Sequence, residues 1–76
     1  MFKEKDMENQ QTFRKHSDGN WYDEGWDFML EFKQGKANLY SHSEVDGEIE
    51  FIKDIWDLED LEETYNLLTK TYHEDF

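Results

Sequence analysis

From Trp26 onward the chain alternates strictly, with Trp26, Phe28, Leu30 and Phe32 on one side and Asp27, Met29, Glu31 and Lys33 on the other. A period of two in the apolar positions predicts a half-buried strand. Gln34-Gly35 then reads as a two-residue hairpin loop, which pairs Leu30 with Leu39 and Phe32 with Ala37 and keeps apolar residues on one face. A second turn signal stands at Asp46-Gly47. A two-residue loop there would put Ile49 and Phe51 on the face opposite Leu39. A three-residue loop, Val45-Asp46-Gly47, pairs Ser43 with Ile49 and Ser41 with Phe51 and restores the core face. The three-residue loop is therefore expected. It gives a three-stranded antiparallel β-meander, roughly Trp26–Lys33, Lys36–Glu44 and Glu48–Lys53, with one apolar and one polar face.

Between Ile55 and Tyr72 the period changes. Apolar residues fall at positions 55, 58, 61, 65, 68 and 72, in steps of three or four that mark one stripe of an α-helix. Asp57 is placed to cap its N-terminus, with Trp56 before the cap and Leu61 after it spaced as a hydrophobic staple. Asp57, Glu59 and Asp60 in the first turn suit the positive end of the helix dipole. The segment from about Phe2 to Lys15 has a weaker helical pattern, stopped by Ser17-Asp18-Gly19-Asn20; a short hairpin around Asp18-Gly19 is the alternative. The expected fold is α+β, a small two-layer domain ordered αβββα. Its helices would cover the Trp26, Phe28, Leu30 and Phe32 face. Residues 1-19 form an arm, and 20-76 the body, one domain.

Composition decides whether such a chain folds. At 36% hydrophobic residues the core is thin, yet 13 of the 76 residues are Phe, Trp or Tyr, residues in which disordered acidic chains are poor. With no Cys there is no disulfide scaffold, thiol nucleophile or thiolate metal site, so the domain rests on its hydrophobic core or on a partner. No apolar run approaches the ~18 residues of a membrane span, and Met-Phe-Lys-Glu-Lys-Asp lacks the apolar stretch of a signal peptide. A cytoplasmic protein is expected, with no membrane partner.

Charge sharpens the picture. The formal net charge is -12, from 20 Asp and Glu against 8 Lys and Arg. Within residues 1-20, Lys3, Lys5, Arg14 and Lys15 balance Glu4, Asp6, Glu8 and Asp18, so the whole excess belongs to residues 21-76, where 16 acids face Lys33, Lys36, Lys53 and Lys70. A neutral arm precedes a strongly acidic body. Such a body is repelled by a phosphate backbone, which argues against direct nucleic-acid binding and for a basic protein as partner. The charge also exceeds the magnitude of about 2 to 8 that keeps a small domain soluble.

Motifs for catalysis are missing. The chain holds no phosphate-cradling glycine motif, no HExxH, no calcium-loop spacing and no Gly-x-Ser-x-Gly. His16, His42 and His73 fall in different elements, and on a strand His42 points away from Ser41 and Ser43, which removes a dyad. Acid pairs such as Glu62/Glu63 or Glu48/Glu50 could serve as general acid and base only with one carboxyl in an apolar pocket, and nothing marks a pocket. Clustered carboxylates would hold divalent cations weakly, without convergent loop oxygens. The expectation is a protein that is not an enzyme and needs no cofactor and no metal. Trp21, Tyr22, Trp26, Tyr40, Trp56 and Tyr65 could stack on bases, but single-strand binders surround such rings with positive charge, and here the neighbours are Asp23, Glu24, Asp27 and Asp57. Exposed Tyr and Trp beside carboxylates serve better as anchors at a protein interface.

Three acidic groups follow from these elements: Asp27, Glu31, Glu48 and Glu50 along the polar face of the sheet, Glu59, Asp60, Glu62 and Glu63 along the helix, and Asp23 with Glu24. In size, charge and α-β-β-β-α layout the chain resembles the small acidic DNA-mimic inhibitors that phages and mobile elements encode, such as anti-CRISPR proteins, uracil-DNA glycosylase inhibitors and anti-restriction proteins. The resemblance is one of profile, covers the acidic body, and carries over no family motif. It implies an inhibitor whose carboxylates stand in for DNA phosphates in the basic groove of a host defence or repair enzyme. The partner-binding residues would be Asp27, Glu31, Glu48, Glu50, Glu59, Asp60, Glu62 and Glu63, with Tyr40 or Trp21 as hydrophobic anchor, in a monomer or small homo-oligomer. Two alternatives need the same residue types: an immunity or antitoxin-type protein that neutralises a basic toxin through a compact patch of acids around Tyr and Trp, and a regulatory adaptor that docks through its neutral arm.

Overall fold

The computed structural model describes residues 1–43 and 45–74, with side chains described as far as Lys70. Five strands, β1 (Phe13–Lys15), β2 (Trp21–Asp23), β3 (Phe28–Lys33), β4 (Lys36–His42) and β5 (Ile49–Ile55), form one antiparallel sheet in chain order, followed by helix α1 (Leu58–Glu74). A short 3-10 segment (Glu4–Asn9) precedes β1. The fold is a small α+β domain, but the expected three strands are five, and the expected N-terminal helix is a single 3-10 segment and a hairpin.

The arm departs from a helix for a physical reason. Its buried side chains, Phe2, Met7 and Phe13, are five and six residues apart, which fits neither a helical stripe nor a strand. The Asp6 carboxylate reaches back to the Lys3 N–H at 2.9 Å, and the turn ends at Gln10, whose side chain donates to the carbonyls of Met7 (3.1 Å) and Phe13 (2.8 Å) and accepts the Phe13 N–H (2.8 Å). Gln10 thereby turns the chain into β1. Asp18-Gly19 then forms the hairpin: Gly19 has φ +89°, its N–H donates to the His16 carbonyl, and the Asp18 carboxylate accepts the Asn20 N–H at 2.9 Å.

The hairpin at Gln34-Gly35 has the expected register, Leu30 opposite Leu39 and Phe32 opposite Ala37. Gly35 sits at φ +80° and its carbonyl accepts the Phe2 N–H at 2.9 Å, which seats Phe2 against Phe32. The next hairpin differs. Tyr40 lies opposite Phe51, Ser41 opposite Glu50 and His42 opposite Ile49, with a register shift at Leu39/Tyr40 that leaves Ile52 without a strand partner. Ile49 and Phe51 therefore lie on the face away from Leu39, not on the core face. The bulge reconciles both halves of β5, because Ile52 and Ile55 still pack on the core. The second strand of the expected meander ended at Glu44, outside the described residues.

Helix α1 has the expected cap. The Asp57 carboxylate accepts the Asp60 N–H at 2.7 Å, and the Asp57 carbonyl accepts the Leu61 N–H at 3.1 Å. Leu58, Leu61, Tyr65 and Leu68 face the sheet, while Ile55 ends β5 and the side chain of Tyr72 lies outside those described. Trp56 does not close a buried staple; it is 58% exposed, with the Lys36 ammonium 5.4 Å from its ring centre. The core is Phe2, Met7, Phe13, Phe28, Leu30, Ala37, Leu39, Ile55 and Leu61, all between the sheet and α1 with the 3-10 segment.

Candidate protein-binding surface

Among the described residues no helix covers the other face of the sheet, and it is not the polar face that alternation suggests. Successive registers place Arg14 beside Tyr22, Tyr22 beside Met29, Met29 beside Tyr40 and Tyr40 beside Phe51, one row across all five strands. Tyr22 and Met29 are buried within this row, and the Tyr40 and Phe51 rings meet edge to face at 5.7 Å. His42 and Ile49 pair on the same face one step along.

Trp26 closes one end of the row. It is the described non-glycine residue with a positive φ, +59°, so it stands in the left-handed region just before β3 and leaves the alternation that groups it with Phe28. Its indole packs on His16 at 4.3 Å and on Tyr22 at 4.6 Å, and its carbonyl lies 2.9 Å from Nδ1 of His42. A left-handed non-glycine residue costs about 1–2 kcal/mol. The ring contacts offset that cost and hold a 40% exposed indole in one place. Ile49 and Phe51, about half exposed at 50% and 53%, extend the apolar patch to the edge of the sheet.

The carboxylates are distributed around this scaffold rather than in one row. Glu31 lies on the open face opposite Asn38, which is in turn opposite Asp54, and it pairs with Lys33 at 3.4 Å. Asp54 pairs with Lys36 at 3.0 Å. Glu50 shares its face with Ser41 and Phe28, the helix side, and Glu48 stands in the exposed β4–β5 loop. Asp27 is exposed at the entry to β3, its carbonyl accepting the His42 N–H. The four acids grouped on one sheet face are thus split between two faces and a loop. On α1, Glu59, Glu62 and Glu63 are exposed, while Asp60 is held by structure: it accepts from the Lys53 ammonium at 2.9 Å, the Trp56 N–H and the Thr64 hydroxyl. The Lys53 hydrogen bond leads in keeping the Asp60 carboxyl below its usual range.

Of the two proposed anchors, Tyr40 lies on the open face and Trp21 does not. Trp21 packs on the core beside Phe32, and its indole N–H donates to Glu4 at 3.1 Å, which holds that carboxyl low together with Lys15. Asp23, grouped at first with the surface acids, is 3% exposed; its carboxylate accepts the Phe28 N–H at 2.9 Å and the Tyr65 hydroxyl at 3.1 Å. Burial and the neighbouring Asp23 charge push the Tyr65 phenol up to about 12. On the open side the Tyr22 hydroxyl donates to Asp18 at 2.6 Å, which raises the phenol and lowers the carboxyl.

Trp26, Ile49 and Phe51 were missed as exposed residues of this face, and Met29 as one of its buried members. The signal was available in part, because the Gln34-Gly35 register already sets Met29 beside Tyr40 on the supposedly polar face. His42 and Ser41 lie on opposite faces, the Ser41 hydroxyl directed to the Glu50 carbonyl at 3.4 Å. Among the described residues no group of three or more His, Asp or Glu is arranged to hold a metal ion. No helix of the described residues is long and apolar enough to cross a membrane. No protein-family model matches the chain, and neither a curated protein nor a solved structure matches it.

Proposed function

We propose that this protein is a non-enzymatic inhibitor that binds a basic protein, with a nucleic-acid enzyme of a host defence or repair system as the favoured target. The observation that carries the reading is the net charge of -12, confined to residues 21-76 and displayed by exposed carboxylates on a folded scaffold, among them Glu48, Glu50, Glu59, Glu62 and Glu63. Carboxylates that fill an Arg and Lys groove release the same counterions that nucleic acid would, so affinity falls with salt and competes with DNA.

The compact aromatic patch supports a second reading. A cluster of Trp26, Tyr22, Tyr40 and Phe51 with acids around it suits an immunity-type protein that neutralises a basic toxin through buried anchors. One experiment separates the two. The protein is used as bait in a cell lysate at about 100 mM and about 500 mM salt, and bound proteins are identified by mass spectrometry. A nucleic-acid enzyme that is released by salt and displaced by competing DNA supports the groove inhibitor; a salt-resistant partner indifferent to DNA supports the immunity reading. Reversal of Glu62 and Glu63 to Lys should weaken groove binding by several kcal/mol if both lie in a desolvated contact. Retention of full affinity by every double reversal on sheet and helix would refute groove filling.

A further inference from the structure

We infer that the outer edge of β5, over Ile49–Phe51, accepts an extended segment of the basic partner as a sixth strand, with an apolar-basic-apolar side-chain pattern; the inference rests on the function proposed above. Among the described residues strand β5 pairs only with β4, and its first three residues are all exposed. The ladder fixes which backbone groups are offered. The Ser43 N–H donates to the Glu48 carbonyl, and the pairs alternate from there, so Glu48 and Glu50 turn their backbone groups toward β4 while Ile49 and Phe51 turn theirs outward. A strand added at this edge would receive hydrogen bonds from those two residues.

The side chains at the edge define the occupant. Ile49 and Phe51 are half exposed on the open face, where apolar side chains of an added strand would cover them, and Glu50 between them projects to the opposite face, where it calls for Arg or Lys. Glu48 and Asp46 extend the negative field at one end. The bulge at Ile52, and Lys53 held by Asp60 beyond it, limit the open edge to residues 49–51. The self-pairing that uses both Ile49 and Phe51 sets Glu50 against Glu50 and joins two bodies of net charge -12, which disfavours a second copy.

The test uses the whole chain, isotopically labelled, and a synthetic peptide of about ten residues alternating Arg and Val, followed by amide shifts and exchange. Two further peptides carry N-methyl groups on the valines or on the arginines, and a fourth replaces Arg by Glu. Binding should shift the amides of residues 49–51 and slow exchange at Ile49 and Phe51; N-methyl-valine should weaken it about 10-fold or more, and N-methyl-arginine by less than about 3-fold. Glu50→Lys should lose affinity for the Arg peptide and gain it for the Glu peptide. Equal binding by both methylated peptides, or shifts confined to Glu59, Glu62 and Glu63, would overturn edge pairing and leave the acidic-inhibitor reading standing. No binding of any Arg peptide at low salt would overturn the inference and count against that reading too.

Discussion

Replacement of Asp23 by Ala removes two acceptor contacts from the interior. The Phe28 N–H, in a residue 2% exposed, has no route to water, and an unsatisfied buried donor costs about 1–3 kcal/mol. The Tyr65 hydroxyl is only part-buried and can turn to solvent, so its loss adds about 0.5–1 kcal/mol. Asp23→Ala should therefore cost about 1.5–4 kcal/mol, a large fraction of the roughly 4–11 kcal/mol typical for a domain of this size. Urea unfolding measures the loss directly, and Tm should fall by about 10–25 °C. Tyr65→Phe should cost only the second increment, and the double variant should show a coupling of about 0.5–1.5 kcal/mol. The same pair governs alkaline stability. The Tyr65 phenol is raised to about 12 when folded, so its contribution is complete below its ordinary value near 10 and is lost as pH rises toward 12. Tyrosinate absorbance should appear at lower pH in Asp23→Asn, because the negative neighbour is gone. A loss under about 0.5 kcal/mol in Asp23→Ala would refute the assignment of Asp23 as the clip between β3 and α1.

Three further outcomes follow from the core, the turns and the field. Leu61→Ala should lose about 2–5 kcal/mol in chemical unfolding, and a variant of undiminished stability would disprove the assigned helix face. Gly35→Ala should lose about 1 kcal/mol or more, since φ +80° strains any L side chain; an unchanged Tm would contradict this. Salt should stabilise the isolated protein by on the order of 1 kcal/mol between about 10 and 500 mM, because screening relieves self-repulsion more than it weakens exposed ion pairs. A Tm that falls with salt would reverse that balance.

Local periodicity made the centre of the fold legible. Gln34-Gly35 carried its register, and the steps of three and four through Leu58, Leu61, Tyr65 and Leu68 carried α1 and its Asp57 cap. Elsewhere single residues overrode the pattern. Trp26 left the alternation by adopting a left-handed backbone, and Ile52 shifted the parity of β5, so the two devices that expose Trp26, Ile49 and Phe51 are those that binary patterning cannot see. In the arm, side-chain bonds of Gln10 and Asp18 favour the hairpin, the alternative reading, over the weak helical pattern. The surface acids were legible as a class. Their roles were not, because Asp23 and Asp60 are told from Glu62 and Glu63 only by the groups that tertiary packing brings to them.

The strand order β1 to β5 repeats the order in the chain, and that has a consequence for how the protein reaches its fold. Each hairpin closes over a few residues, so the sheet can grow by successive short loop closures, without the entropy of joining distant segments early. Phe2 and Leu61 join the same core from opposite ends of that series. Assembly of the sheet should therefore be fast and graded, while the final step that locks the ends together makes the folded state all-or-none.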